Sequence, residues 1–219
     1  MSNDNSANNN TNDTENEHLL ENTWVLWYRP PVTKSNPGAN VWEHSQQLKF
    51  TANTVENFWR GFRNHPRISK QGHPTNCDYS LFKEGIKPMW EDEFNSQGGR
   101  WTYTIERRQA SHNNVPLPGV IEQAWLDVML CLIGEGFDPY GDMIAGGVCG
   151  IRNPKGPQKN SEPMFAKLHI WTKDAGNIEA NMKIGEVLKE VLEAPDGQLM
   201  YTPHDVTSSG TRGKHSLKL

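Results

Sequence analysis

Hydrophobic and polar residues recur along the chain in two patterns, one typical of strands and one typical of helices. Short alternating or continuous apolar runs predict strands at residues 24–28, 47–51, 78–84, 100–107, 144–152, 165–172 and 198–204. Apolar residues spaced three and four positions apart predict helices at residues 55–62, 120–135 and 178–193. This order predicts a single α+β domain built on a curved antiparallel sheet of about eight strands with three helices.

Proline, glycine and a capping threonine indicate where several of these elements begin and end. Pro30 and Pro31 stop the first strand. Gly98 and Gly99 form the turn before the strand at 100–107, so residues 90–95 are predicted to be loop. Thr54 can cap the first helix by accepting a hydrogen bond from its first turn.

The second predicted helix is apolar on two sides. One stripe comprises Trp125, Val128 and Leu132, and the other comprises Leu126, Leu130, Ile133 and Gly134. A helix lying on a sheet needs only one apolar stripe. Either neighbouring elements bury both stripes, or the second stripe forms a groove with Val55 and Trp59 that accepts an amphipathic helix of a partner.

The formal charge of the chain is unevenly distributed. Residues 1–23 hold five acids and no Lys or Arg, so the charge of −4 for the whole chain becomes +1 for residues 24–219. Asparagine, serine and acid dominate the start, which predicts a disordered tail over 1–22. One domain follows over 23–219, and its basic C-terminal loop, 205–219, is predicted to be mobile. A near-neutral body argues against a sequence-blind DNA or RNA binder.

The cysteines and histidines favour neither a metal site nor an enzyme. Cys77, Cys131 and Cys149 are widely spaced, and the last two lie in apolar surroundings that predict buried thiols. No H-x-x-x-H pair or G-x-S-x-G motif occurs, so we expect no metal, no cofactor and no catalytic residue. The chain has no secretory signal or long apolar run, which predicts a cytosolic protein without a membrane span.

The pair Trp90–Glu91 suits a flat, cationic ligand that carries hydrogen-bond donors. An indole can stack on such a ring, and a carboxylate offers two acceptor oxygens to two adjacent N–H groups. Guanine presents that pair at N1 and N2, and methylation at N7 makes the ring positive. Arg152 and Lys167 lie in predicted strands among apolar neighbours, where cations suit a short polyphosphate.

Taken together, the motifs resemble the eukaryotic translation initiation factor 4E family of cap-binding proteins. The resemblance runs from about residue 18 to residue 212. Its most specific pieces are Thr54-Val-Glu-Asn-Phe-Trp59, Asp78-Tyr-Ser-Leu-Phe82, Lys87-Pro-Met-Trp-Glu-Asp92, Gly98-Gly-Arg-Trp101, Trp125-Leu126, Leu130-Cys-Leu-Ile-Gly-Glu135 and Ile170-Trp-Thr172. The family's fold implies a strongly bent antiparallel sheet of about eight strands, with three helices on its convex face.

The resemblance also implies a cap site. Trp42 and Trp90 match the two indoles that hold 7-methylguanosine. Glu91 matches the carboxylate that pairs with guanine N1 and N2, and Trp171 matches the residue that contacts the N7-methyl group. Arg152 and Lys167 match phosphate ligands, with Lys155 or Lys159 as further candidates, and Arg100 matches a residue that supports the phosphates through water.

On the helical side, the resemblance implies a docking surface for a helical peptide of a 4G-type scaffold and of 4E-binding repressor proteins. The matching residues are Val55, Trp59, Leu126, Asp127, Leu130 and Gly134. His18 belongs to this surface too, although His18-Leu19 stands where the family has His-Pro. The same resemblance implies that Thr211 stands where a regulatory hydroxyl can lie in the family.

The resemblance predicts a non-catalytic factor that recruits capped mRNA to initiation, in the cytoplasm and also in the nucleus. One alternative is a cap-binding translational repressor of the same fold that binds the scaffold weakly. Another is a general single-stranded RNA protein that stacks bases without preferring a cap.

Overall fold

The computed structural model describes residues 17–32, 46–106, 115–154, 162–204 and 217–219. Several predictions fall outside these ranges and remain predictions. They concern most of the tail over 1–22, the loop at 205–216, and the side chains of Trp42, Lys155, Lys159 and Thr211.

The described residues form one antiparallel sheet of seven strands and three helices. The strands are β1 (Leu19–Arg29), β2 (Gln47–Thr54), β3 (Cys77–Lys83), β4 (Gly99–Glu106), β5 (Ile144–Arg152), β6 (Phe165–Thr172) and β7 (Met200–Pro203). The helices are α1 (Val55–Asn64), α2 (Leu117–Ile133) and α3 (Ile178–Val191). The sheet order is β2-β1-β3-β5-β6-β4-β7, and every neighbouring pair is antiparallel. The predicted α+β class is therefore confirmed.

Several boundaries differ from the predicted ranges, because strand pairing and helix caps decide where an element begins and ends. β1 begins at Leu19 rather than at residue 24, since Leu19 already pairs with Thr54 of β2. The polar residues at positions 21–23 interrupt the hydrophobic pattern, so the pattern does not reveal this extension of β1. α2 begins at Leu117, because Pro118 lacks a backbone N–H and fits the first turn, where N–H groups have no acceptor within the helix. β7 is shorter than residues 198–204.

The first helix begins as its sequence predicts. Thr54 lies in extended backbone, and its side-chain oxygen accepts a hydrogen bond from the Asn57 backbone N–H at 3.1 Å. Phe58 is fully buried beneath the helix, while Trp59 on the next position is only half-buried. The cap marks where the helix begins, and packing of its inner side against the core buries Phe58 while Trp59 stays near the surface.

One face of the sheet packs against the helices and forms the main core. On β4 the predicted alternation is confirmed, with Trp101, Tyr103 and Ile105 buried on this face. The core also contains Trp125, Val128, Met129 and Leu132 of α2. The opposite side of the sheet, here called the open face, carries the alternate residues of each strand.

One of the three cysteine thiols is less buried than predicted. Cys149 is fully buried as expected, and Cys77 is buried as well, but Cys131 on α2 is only half-buried. Burial raises the pKa of Cys131 to about 11 and that of Cys77 to about 12, so both thiols are protonated at neutral pH.

A histidine pair packs on Tyr79 where the loop after α1 meets the sheet. The His65 ring lies edge-on to Tyr79 at 4.6 Å between centroids, and His73 Nε2 lies 2.8 Å from the Tyr79 hydroxyl. Burial lowers the pKa of His65 from 6.5 to about 4 and also lowers that of His73.

Acidification is expected to destabilise the fold through His65. Its folded pKa lies below its unfolded value, so its contribution is complete above about pH 6.5 and is lost as the pH falls towards 4. The unfolding free energy should drop by roughly 1 kcal/mol per pH unit in this window. Urea unfolding at several pH values should show a shallower decline for His65→Gln, and an unchanged slope would contradict this assignment.

Candidate functional site

Cross-strand pairing on the open face brings distant residues into two transverse rows. The first, here called the charged row, consists of Arg29, Asp78, Gly150, Lys167 and Thr104. The second, the aromatic row, consists of Val25, Phe82, Gly146, Trp171 and Arg100. The two rows lie four residues apart along each strand, which corresponds to about 13 Å. A flat ring at one row and a phosphate chain reaching towards the other would fit this spacing.

The aromatic row contains a small apolar cluster separate from the main core. Trp171 is 7% exposed, and its ring contacts Phe82 edge-on at 5.5 Å and the His204 ring at 4.3 Å. Gly146 makes this packing possible, because a Cβ there would lie 2.7 Å from the Phe82 ring. The Trp171 indole N–H is buried and has no hydrogen-bond acceptor among the described residues. The cluster presents an aromatic floor at this position of the open face.

The loop between β3 and β4 carries Trp90 and Glu91, and it is loop as predicted. Trp90 is 40% exposed, and Glu91 is exposed with no ion pair or hydrogen bond within the described part of the chain. Ile86 and Phe94 of the same loop pack against the apolar cluster of Trp171. The loop is therefore docked onto the aromatic row, which places Trp90 and Glu91 on the side of the molecule that holds Trp171.

Two residues that the sequence analysis did not single out hold this loop in shape. The Asp92 carboxylate accepts hydrogen bonds from the backbone N–H groups of Lys87 and Phe94, both at 3.0 Å. The fully buried Asn95 side-chain amide donates to the carbonyls of Lys87 at 2.9 Å and Met89 at 2.8 Å. Asp and Asn in a loop commonly hydrogen-bond to nearby backbone groups, so the residue types at both positions offered a sequence signal for these roles. These bonds restrict the loop before a ligand arrives, which reduces the entropy cost of binding.

The predicted cations of the site lie on β4, β5 and β6. Lys167 is exposed in the charged row. Arg152 Nη1 donates to the carbonyls of Cys77 and Ile151 at 3.0 and 3.1 Å, and its Nη2 lies 2.6 Å from Asp78 Oδ1. Arg100 pairs with Trp171 across the β4–β6 ladder, and burial lowers the pKa of its guanidinium below the usual value for arginine. The three cations share the open face, with Lys167 in the charged row, Arg152 beside that row and Arg100 in the aromatic row.

His169 lies between the two rows and stays neutral. It pairs with Val148 and Thr102, and its Nδ1 lies 2.9 Å from the Thr102 hydroxyl oxygen. Burial, followed by the charges of Arg100 and Lys167, lowers its pKa to about 3. The ring is therefore an uncharged hydrogen-bonding group in the middle of the open face.

Parts of the predicted site lie outside the described residues. Trp42, the predicted second stacking wall, and the loop lysines Lys155 and Lys159 belong to this group. Within the described ranges, no cluster of three or more His, Cys, Asp or Glu side chains is arranged to hold a metal ion. No helix in those ranges is both long and apolar enough to cross a bilayer.

The other predicted surface lies on α1 and α2, and we call it the helix-pair surface. It comprises Val55, Trp59, Leu126, Asp127, Leu130 and Gly134. All are half-buried except Gly134, which is exposed at the end of α2. Trp59 contacts Phe58 and Phe62 edge-on at 5.4 and 5.9 Å, which fixes its ring. Ile133, predicted in the same stripe, is instead buried in the core at 6% exposure.

Hydrogen bonds of Arg67 and His18 fix the surroundings of the helix-pair surface. Arg67, just after α1, donates to the Glu122 carboxylate of α2 at 2.9 Å. His18 lies beside the start of α1, where its backbone N–H donates to Glu56 Oε2 at 2.9 Å and its carbonyl accepts from the Val55 N–H at 2.9 Å. The structure thus places His18 against the first turn of the helix that carries Val55 and Trp59.

Comparison with known proteins gives one consistent family. The profile described as "Eukaryotic initiation factor 4E" matches residues 19–218. Human eukaryotic translation initiation factor 4E is 38% identical over 202 residues, which cover 91% of this chain and 82% of the human protein.

Two solved structures share the fold. One is Caenorhabditis elegans initiation factor 4E-3 in complex with the 4E-binding protein Mextli and a cap analog. Its TM-score is 0.72 at 34% identity, with 92% of this chain and 100% of that chain covered. The other is Ascaris suum initiation factor 4E-3 with the m7G cap, with a TM-score of 0.73 at 32% identity, covering 90% and 95% of the two chains. This chain belongs to the eukaryotic initiation factor 4E family.

Proposed function

We propose that this protein binds the 7-methylguanosine cap of mRNA and recruits the capped message to the translation initiation machinery through a 4G-type scaffold. The observation that carries the proposal is the exposed Trp90–Glu91 pair, held on a restrained loop that docks onto the aromatic row. The solved relatives with a cap analog and with the m7G cap support the same ligand. The relatives reported above are initiation factors, which favours initiation over the repressor alternative.

Each residue of the proposed site has a different task. Trp90 stacks on the methylated base, with Trp42 as the opposite wall. Glu91 accepts from guanine N1 and N2, and Trp171 contacts the N7-methyl group. Arg152 and Lys167 bind phosphate oxygens directly, Lys155 or Lys159 assists from the loop, and Arg100 acts through water.

Selectivity for the methylated base follows from its positive charge. Stacking a base on an aromatic side chain contributes about 1–3 kcal/mol. A cation against an aromatic face adds roughly 0.5–2 kcal/mol. Two indole walls and the carboxylate of Glu91 all favour a cationic ring, so the unmethylated base loses affinity at three contacts.

Ligand competition tests this proposal. Binding of 7-methyl-GTP should quench tryptophan fluorescence at concentrations about 100-fold lower than those GTP requires, because methylation affects all three contacts. Titrating both ligands into the pure protein measures the ratio. Equal affinities would contradict cap recognition and support the general RNA-stacking alternative.

The helix-pair surface is proposed to bind the scaffold. Its half-buried leucines and the fixed Trp59 ring suit the aliphatic anchors of an amphipathic helix. The complex of the worm relative with a 4E-binding protein supports a partner of this kind, and 4E-binding repressor proteins would compete for the same surface. His18 lies beside α1 as part of the predicted contact area.

The proposed activity is binding without catalysis. Stacking, hydrogen bonding and charge pairing account for every role assigned to the site, and none of these steps forms or breaks a covalent bond. The proposed work in translation places the protein in the cytoplasm, and its presence in the nucleus as well remains part of the same proposal.

A further inference from the structure

Asp78, on the interior strand β3, lies between two arginines of the neighbouring strands. Its Oδ2 accepts hydrogen bonds from Arg29, with Nε at 2.7 Å and Nη2 also in contact. Its Oδ1 lies 2.6 Å from Arg152 Nη2. The Asp78 side chain is 8% exposed, against 26% for Arg29 and 32% for Arg152. A nearly buried carboxylate thus joins two cations that both reach solvent.

Strand register and one glycine create this arrangement. Arg29 pairs directly with Asp78, and Asp78 pairs with Gly150, two residues before Arg152. A Cβ at Gly150 would lie 2.9 Å from both Arg152 Nη2 and Asp78 Oδ1. The Arg152 guanidinium therefore occupies the space above Gly150 and reaches back across the sheet to the carboxylate.

The two contacts to Asp78 differ in quality. Arg29 donates aligned hydrogen bonds to Oδ2, whereas no N–H of Arg152 is aimed at Oδ1, so that contact is an ion pair only. The two hydrogen bonds and one ion pair of Arg152 engage at most three of its five N–H donors within the described part of the chain. Arg152 can therefore donate to a further anion without leaving its position.

The charges of three residues, here called the trio (Arg29, Asp78 and Arg152), determine how strongly an anion is attracted to the Arg152 side chain. Without Arg29, the Asp78 carboxylate would cancel the charge of Arg152 at a distance of 2.6 Å. With Arg29, the trio carries a net charge of +1. A phosphate oxygen near Arg152 would then meet a positive site in place of a neutral ion pair.

We infer that Arg29 is a positioning residue for the phosphate chain of the cap: it neutralises Asp78 and so leaves the charge of Arg152 available to the triphosphate. The inference rests on the proposed cap-binding function and extends it to a residue on β1. Arg29 acts through Asp78 and Arg152, and it has no role in reading the base.

A double-mutant cycle tests this assignment. The variants are Arg29→Gln, Asp78→Asn and the two combined, and the ligands are 7-methylguanosine and 7-methyl-GTP. Arg29→Gln should lower the affinity for 7-methyl-GTP about tenfold, because one positive charge near the phosphates is lost. It should change the affinity for the phosphate-free nucleoside less than about twofold. Adding Asp78→Asn should return 7-methyl-GTP affinity close to that of the wild type, since the net charge is again +1.

The exposed Arg63 on α1 supplies the matched control, because Arg63→Gln removes the same charge away from the trio. It should leave both affinities unchanged, and urea unfolding checks that every variant is folded. The inference is overturned if the combined variant binds 7-methyl-GTP as weakly as Arg29→Gln does. It is also overturned if Arg29→Gln lowers the affinities for 7-methylguanosine and for 7-methyl-GTP equally. A wild type that fails to prefer 7-methyl-GTP over GTP would overturn the proposed function and the inference with it.

Discussion

Replacing Glu91 by alanine is expected to lower the affinity for 7-methyl-GTP by about 100-fold or more. The carboxylate is proposed to accept two hydrogen bonds from a cationic base. Hydrogen bonds to charged groups contribute about 1.5–3 kcal/mol each, and about 1.4 kcal/mol corresponds to a factor of ten. Fluorescence titration gives the dissociation constant, and retention on a cap resin gives an independent readout.

Glu93 provides a control for this substitution. It is an exposed glutamate two residues away on the same loop, so Glu93→Ala removes an equal charge at nearly the same place. This variant should retain cap affinity within about twofold, because exposed charges are screened by salt. Should Glu91→Ala bind as tightly as Glu93→Ala, the carboxylate has been assigned to the wrong residue.

Replacing Trp59 by alanine is expected to abolish most of the affinity for an amphipathic partner helix while leaving cap binding intact. Trp59 is half-buried, and its ring is fixed by Phe58 and Phe62. A tryptophan that anchors an interface commonly contributes 2 kcal/mol or more, which corresponds to a loss of about 30-fold or greater. Calorimetry with a scaffold-derived helical peptide measures the effect.

Two comparisons make the Trp59 result specific. Leu48 on β2 is 56% exposed and lies outside the helix-pair surface, so Leu48→Ala should bind the peptide normally. Unchanged 7-methyl-GTP affinity in Trp59→Ala would show that the fold and the cap site survive. Peptide affinity that stays within threefold of the wild type would place the docking site elsewhere.

Local patterns in the sequence predicted the elements of this protein well. The hydrophobic pattern predicted the strand at 100–107, in which Trp101, Tyr103 and Ile105 are buried on one face, and Thr54 marked the start of α1. These features depend on neighbours within a few residues, which a single sequence displays directly. The Trp90–Glu91 pair likewise could be found early, because an exposed aromatic next to a carboxylate in a loop has an evident chemical use.

Long-range pairing could not be predicted in the same way. Leu19 belongs to β1 because Thr54 of β2 pairs with it, and no hydrophobic alternation signals that contact. Ile133 seemed to belong to a partner groove, yet it is buried, because the path of α2 across the sheet decides which side faces inward. The spacing of apolar residues along a helix predicts its apolar stripes, but it does not predict which structural element packs against each stripe.

The sequence by itself determined the fold class, the family resemblance and the chemical character of the Trp90–Glu91 loop, because each follows from residue types at short separations. Only the tertiary structure decided that Arg29, Asp78 and Arg152 share one site. These residues come from three strands far apart in sequence, and their contact depends on antiparallel register and on the lack of a side chain at Gly150. The same register docks the Trp90–Glu91 loop beside Trp171, which turns an aromatic–carboxylate pair into one side of a binding face.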